Sequence, residues 1–353
     1  MQVEAEACPP GPEVAAAWRA LEPACAALSF FQSWSWLGCL VDERFATPVL
    51  LRLMGQGGVP LALALFNRRG GRLVLADSGD PVLDAPFTED SGPLLAGEAG
   101  PGALEALFAA AWALPGVRRL VLRGVPPAVA AAAGGIVLSR QERPAPYVDL
   151  AALRAAGRRH LDGISANTRQ QIRRSMRSYE AAGPLVFTPA ASLAEAEAVL
   201  AELIDLHQAD WQARGRPGAF ASPFMRRFHA GLLRTAFPRG EIELARVAAG
   251  PRRLGCLYNF RHRQRVYAYQ SGFDREGAGR HEKPGLTCHA LAIAAAEARG
   301  DSAYDFLAGE DRYKRSLSNA SRTLVWAELV RPLSPLGLLL RLRRARPELI
   351  PST

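Results

Sequence analysis

Three short apolar runs, at 241–248, 253–261 and 265–273, follow one another with turn signals at Gly250-Pro251 and His262-Arg263 between them. Connections this short can close only antiparallel neighbours, so the segment is a three-strand meander and its sheet cannot be all-parallel. A helical pattern at 285–299, a strand at 303–307, a short helix at 311–317 and a strand at 323–331 come after it. A basic helix at 165–182, a strand at 184–188 and helices at 192–214 and 223–237 precede it. The first half repeats this order. Helices at 13–28 and from Ser33 onward lead into strand runs at 48–54, 60–67 and 72–77, joined at glycine pairs; a loop at 79–102, a helix at 104–114, a strand at 117–122 and a short helix at 128–133 follow. A meander that runs into a helix and a further strand therefore occurs twice, which points to a duplicated α/β fold. At 353 residues two domains are expected, 1–146 and 147–353, with the boundary at Pro144-Ala-Pro146.

Apolar residues make up 49% and charged residues 22%, the balance of an ordinary globular chain. The net charge of +9 is almost wholly arginine, because Lys283 and Lys314 are the only lysines, and it favours anionic ligands. Five cysteines without CxxC spacing and six histidines without HExxH spacing indicate neither a disulfide framework nor a metal site. The start of the chain carries acids and prolines where a signal peptide needs basic and then apolar residues. No apolar stretch reaches the ~18 residues of a membrane span, so a cytoplasmic protein without stable membrane insertion is expected. No GxSxG elbow or P-loop is present, which argues against serine-hydrolase and nucleotidase chemistry.

The segments 267–274 (YAYQSGFD), Pro284-Gly285 with His289 downstream, 304–309 (YDFLAG) and Tyr313-Lys314, together with His207 and Trp211 and with Phe31 through Trp36, occur in a fixed order. In that order they resemble the CelD-like or BioF2-like branch of the GNAT acetyltransferases, relatives of the FemAB enzymes, over most of residues 30–330. The resemblance implies an α/β fold of two tandem GNAT-like domains, each a mixed, mainly antiparallel sheet flanked by helices, the first degenerate. It implies an N-acyltransferase that moves an acyl group from acetyl-CoA or a longer acyl-CoA, or from an acyl carrier protein, to a small-molecule or peptide amine by direct attack, without a metal.

In such a domain a helix N-terminus, with its unpaired N–H groups, faces a gap between parting strands and suits a diphosphate. The matching positions are Lys283, Pro284, Gly285, Leu286 and Thr287, with Ser271, Gly272 and Phe273 on the strand opposite. An ordinary Pro-Gly helix start has the same sequence. The usual Gly-x-Gly turn is represented only by Gly277-Ala-Gly279-Arg280. Tyr313 takes the place of the acid for the leaving thiolate. Asp274, Asp305 and Glu310 are expected to share one cleft, where a carboxylate would take the amine proton or hold a cationic acceptor, while His207, Trp211, Tyr269, Gln270, His289 and Lys314 would line the acceptor side.

Arg169, Arg173 and Arg177, with Arg174 beside them, form a cationic stripe at helical spacing, which leaves an aminoacyl-tRNA donor open; a solvated helix face has the same pattern. A non-catalytic GNAT-fold protein of a polysaccharide pathway is a further alternative. The amphipathic run 336–346 would pack on the domain or touch a membrane or partner.

Overall fold

The structure, a computed structural model, describes residues 2–80, 88–276 and 278–345. By contact the chain divides into two compact units, 1–142 with 323–353, and 143–322.

The first unit holds strands β1 (Gln2–Ala7), β2 (Pro48–Met54), β3 (Pro60–Arg69), β4 (Arg72–Leu75), β5 (Leu94–Leu95), β6 (Arg119–Val125), the start of β7 (Ile136–Asp149) and, from the far end of the chain, β13 (Ala320–Val330). Its helices are α1 (Gly11–Leu21), α2 (Trp34–Arg44), α3 (Ala103–Ala113), α4 (Pro127–Ala132) and α12 (Pro335–Ala345). Strands β1 to β4 pair antiparallel in sequence order. Then β4 pairs in parallel with β6, through a crossover that contains α3, and β6 pairs antiparallel with β13. Phe30, Phe31 and Trp36 are fully buried, the last two edge-on at 4.9 Å, so the aromatic run between Phe31 and Trp36 belongs to this unit's core. Ser33 does sit at the N-cap of α2, but its hydroxyl donates to the Phe30 carbonyl, and the Glu22 carboxylate accepts from Trp34 N–H instead.

The second unit holds the rest of β7, then β8 (Leu185–Pro189), β9 (Ile242–Ala249), β10 (Arg252–His262), β11 (Arg265–Phe273) and β12 (Ala303–Asp305). Its helices are α5 (Leu150–Ala155), α6 (His160–Gly163), α7 (Ala166–Glu180), α8 (Leu193–Ala213), α9 (Pro223–Ala236), α10 (Pro284–Ala298) and α11 (Arg312–Leu317). Strands β8 to β11 pair antiparallel in order, β11 pairs in parallel with β12, and β12 antiparallel with β7. Serine hydroxyls cap α7 and α8, with Ser165 accepting from Thr168 N–H and Ser192 from Glu195 N–H. Leu254, Leu257, Val266, Ile293 and Tyr304 lie in the core of this unit.

The meanders and the helices that follow them lie where the turn spacing and helical period put them. Strands β1 and β7 do not follow from the apolar pattern. Pro144 and Pro146, expected as a boundary, lie inside β7, where their carbonyls accept from the N–H groups of Gly309 and Phe306, bonds for which a missing proline N–H is no obstacle. Strand β13 groups with the first unit because its partner is β6. Of the run 336–346, residues through 345 are helical and Arg346 lies outside the described residues, as do Gly277 and residues 81–87 of the expected loop. Among the described residues no helix is long and apolar enough to cross a membrane.

One close approach governs the second unit. A Cβ at Gly272 of β11 would stand 2.6 Å from the Leu203 carbonyl oxygen and 2.7 Å from the Leu206 Cβ, so α8 lies directly on the strand backbone. Gly272→Ala is expected to lower stability by about 1–3 kcal/mol through overpacking. Urea unfolding checks this: a lower midpoint at an unchanged slope is expected, and a midpoint equal to that of the native chain would contradict the packing.

Candidate functional site

The parallel pairing of β11 with β12 is three residues long, Arg265–Tyr267 against Ala303–Asp305. Asp305 ends it. This residue has no solvent exposure; its Oδ2 accepts from Arg265 Nη1 (2.9 Å) and Arg322 Nη2 (2.8 Å), and its Oδ1 accepts from Leu307 N–H (2.8 Å). The tight turn that this bond closes places Leu307 at φ +60° and takes the chain away from β11. Beyond Tyr267, strand β11 therefore keeps its pairing with β10, and among the described residues no strand pairs with it on the β12 side. Opposite Tyr258 and Asn259 of β10 the register passes from Gln270 to Ala268, so Tyr269 is the extra residue of a β-bulge, a device that re-aims side chains.

The start of α10 lies across this gap. Ser175 of α7 accepts from Lys283 N–H (2.8 Å) and bonds the Thr287 hydroxyl (2.8 Å), tying the first turn to α7. Pro284 has no N–H, and the amides of Gly285 and Leu286 have no hydrogen-bond partner among the described contacts, so two donors and the positive end of a 15-residue helix point outward. A Cβ on Gly285 would stand 3.3 Å from the Phe273 ring, so glycine brings this turn against β11. The loop before it is pinned by Glu282, which accepts from both terminal nitrogens of Arg252 (2.7 and 2.8 Å) and from Gly279 N–H. Arg252 is also the main cause that holds the Glu282 carboxyl below its ordinary pKa.

Between these walls lies a cleft of roughly 630 Å³. Tyr269, Gln270, Ser271, Gly272 and Phe273 form the strand wall, and Lys283, Pro284, Gly285, Leu286 and His289 the helix wall. Tyr313 and Lys314 of α11 close one end, His207 and Trp211 of α8 another. The Tyr313 ring stacks on His289 at 5.5 Å and 16°, and burial, with the nearby Asp311, holds its hydroxyl above the ordinary pKa. The amine of Lys314 donates to the Ala308 carbonyl (2.8 Å).

Residues 166–315 match the family model described as the acetyltransferase (GNAT) domain. That stretch belongs to the GNAT family. FemX is 10% identical, with 96% of this chain and 100% of FemX covered and a TM-score of 0.62. L-PGS from Bacillus licheniformis is 15% identical, with 94% and 95% covered and a TM-score of 0.55. At these identities the likeness shows the fold alone. No curated protein matches the chain. The first unit repeats the order of the GNAT domain, a meander, a helix, a parallel strand and an antiparallel neighbour, so the fold class is two tandem GNAT-like units, and the chain is a transferase.

The GNAT domain brings together all but four of the residues expected at the site. Thr287 is turned inward onto Ser175 and is fully buried. The three carboxylates expected to share the cleft do not line it. Asp305 is consumed by two arginines and the Leu307 amide, Asp274 accepts from Glu276 N–H and lies 3.5 Å from Arg253, and Glu310 is exposed. The acids that do line the cleft are Asp210, paired with Arg214 and Arg275, Glu282, and Asp311. His207 has both nitrogens occupied, Nδ1 at the Ser271 carbonyl (3.1 Å) and Nε2 accepting from Ala219 N–H (3.3 Å), so it anchors α8 and a loop.

Sequence reasoning missed His229 of α9. It has no solvent exposure, and its nitrogens meet the hydroxyls of Tyr258 (3.2 Å) and Tyr269 (3.1 Å), which ties the bulged tyrosine to a buried polar chain. Its signal was a histidine between Phe228 and Leu232 on an apolar helix face. Among the described residues no group of histidines, cysteines and acids is placed to hold a metal ion.

Burial depresses the pKa of His229 and of His289 to about 3, against an ordinary imidazole value near 6.5. Both rings are neutral in the fold, so their contribution is fully present above pH 6.5 and lost as the pH falls and the unfolded chain takes up protons that the fold excludes. Each ring is expected to cost about 2 kcal/mol of stability between pH 7 and pH 5. A urea midpoint that stays level over this range would contradict the buried neutral state.

Proposed function

We propose that the GNAT domain moves an acyl group from an acyl-CoA thioester to an amine by direct attack. The observation that carries this reading is the pair of amides at Gly285 and Leu286, without a partner among the described residues, beside the free edge of β11, with Tyr313 on a third side. Helix amides and the exposed Lys283 suit the donor's diphosphate, and the open strand edge offers backbone groups to the amide-bearing arm that leads to the thioester.

The amine lone pair forms the C–N bond, the carbonyl oxygen carries the charge, and the C–S bond breaks as it returns. One proton leaves nitrogen and one arrives on sulfur. Tyr313 balances this by giving its proton to the sulfur and taking the one released by the new ammonium. The phenol is protonated at neutral pH, as an unperturbed tyrosine also is, so a proton is at hand for the sulfur.

A second reading takes aminoacyl-tRNA as the donor. It is favoured by Arg174, Arg280, His281 and Lys283, which gather with Asn167 and Gln171 around a neighbouring hollow of roughly 310 Å³. Arg173 and Arg177 of the basic stripe are exposed as well, whereas Arg169 is engaged with the Leu161 carbonyl (3.1 Å).

Calorimetry separates the two. Acetyl-CoA or a longer acyl-CoA is expected to bind the native chain, and Lys283→Gln to weaken binding several-fold, less so at high salt. Binding of charged tRNA alone, lost steeply with salt, would select the second reading. Tyr313→Phe is expected to lower kcat by about 100-fold or more while donor affinity stays nearly constant. Unchanged turnover would remove Tyr313 from the mechanism.

A further inference from the structure

His289 follows Gly285 by four residues, so its ring lies on the same face of α10, one turn below the open amides. It is 3% exposed. Its Nδ1 meets the Tyr304 hydroxyl group at 3.1 Å, while its Nε2 is buried, lacks a hydrogen-bond partner and belongs to a residue of the cleft wall. A buried ring nitrogen without a partner is destabilising, a cost that a ligand bonded to it removes.

The other side of the ring leads away through a polar chain. Asn259 of β10 hydrogen-bonds the Tyr304 hydroxyl, and its Nδ2 donates to Glu243 Oε1 (3.2 Å). Glu243 Oε2 pairs with Arg299 Nη1 (2.9 Å), and Arg299 also holds Asp301 (3.0 Å). Asn259 and Tyr304 have no solvent exposure.

The direction of every hydrogen in this chain is fixed from its charged end. A carboxylate paired with a guanidinium only accepts, so Asn259 turns its amide nitrogen toward Glu243. That nitrogen's second hydrogen goes to the Tyr304 oxygen. Tyr304 then has its own hydrogen left, and the acceptor beside it is His289 Nδ1. A neutral imidazole that accepts at Nδ1 carries its hydrogen on Nε2.

We infer that His289 is a catalytic residue, a fixed Nε2–H donor to the carbonyl oxygen of the transferred acyl group, and that Tyr304, Asn259 and Glu243 are positioning residues that hold its tautomer. This rests on the acyl-transfer reading. Burial keeps the ring neutral, and the stacked Tyr313 places the donor next to the proposed acid. No proton leaves His289 in the reaction; its hydrogen bond strengthens as charge collects on the carbonyl oxygen.

Two measurements on the full chain test this. Nitrogen-15 spectra of the unliganded protein labelled in its imidazoles, assigned by the signal missing in His289→Gln, are expected to show His289 neutral with hydrogen on Nε2 from pH 6 to 8. Tyr304→Phe is expected to mix the two tautomers. An Nδ1–H ring in the native chain overturns the inference.

In turnover, His289→Ala is expected to lower kcat by about 100-fold or more with a nearly constant donor KM. His289→Gln, whose amide nitrogen reaches the position of Nε2, is expected to recover at least about tenfold of that loss, the rescue expected of a donor. Equal rates for the two variants, both folded by thermal melting, overturn it as well. Failure of every acyl-CoA to bind sinks the acyl-transfer reading and the carbonyl partner with it. A wrong tautomer in a chain that does turn over sinks only the role of His289.

Discussion

The site depends on one buried carboxylate. Asp305 has no solvent exposure, and a charge in that position persists only where opposite charge and hydrogen-bond donors surround it. Arg265 comes from the neighbouring strand, Arg322 from seventeen residues downstream, and the Leu307 amide from the turn that the carboxylate itself closes. Pairing satisfies the charge, and the tight turn stops the parallel ladder. Were β12 to continue alongside β11, the backbone edge from Ala268 onward would be filled by protein. The acid expected to take part in the chemistry instead makes the opening of the cleft.

A second constraint is how near the elements stand to one another. Gly272 lets α8 rest on the strand backbone, Gly255 faces the Gly272 carbonyl oxygen with no room for a Cβ, and Gly285 admits the ring of Phe273. These contacts bring a helix start, a strand edge and two aromatic residues within the reach of one ligand. Several of the polar groups left inside are chained: Tyr258, His229 and Tyr269 in one line, Glu243, Asn259, Tyr304 and His289 in another. Both lines end at residues of the cleft wall. Polar chains of this kind specify side-chain orientation more than they add stability.

Much of the second unit could be read from the sequence because its signals are local. Two-residue turns fix the meander, serines at 165 and 192 mark helix starts, and Pro284-Gly285 marks the helix that carries two open amides. What escaped depends on partners far away in sequence. The strand 136–149 carries charged and proline residues and owes its pairing to 303–305, more than 150 residues later. The strand at the N-terminus pairs with 49–54 and is largely solvent-facing, so it lacks an apolar alternation. Asp305 was expected to face the cleft and instead turns onto arginines, because nothing near it in sequence announces Arg322. His229 reads as one residue of an amphipathic helix until Tyr258 and Tyr269 are seen on either side of it.

Comparison of the two units shows why the cleft belongs to one of them. Each unit has a parallel pair of three residues, 72–74 with 119–121 and 265–267 with 303–305. In the second unit the strand runs on for six residues beyond its pair, and those six form the open edge. In the first, β4 ends at Leu75, one residue beyond, and Ala76 turns away at φ +51° with its amide bonded to the Leu65 carbonyl. The following helix, α3, starts after Gly102 without a side-chain cap, as α10 starts without one, but it has no parted strand end to face. A helix N-terminus attracts an anion only weakly by itself; the adjoining edge adds directional hydrogen bonds and a wall that excludes water. Shortening one strand by five residues is therefore enough to remove an open strand edge of this kind while the order of elements around it is preserved.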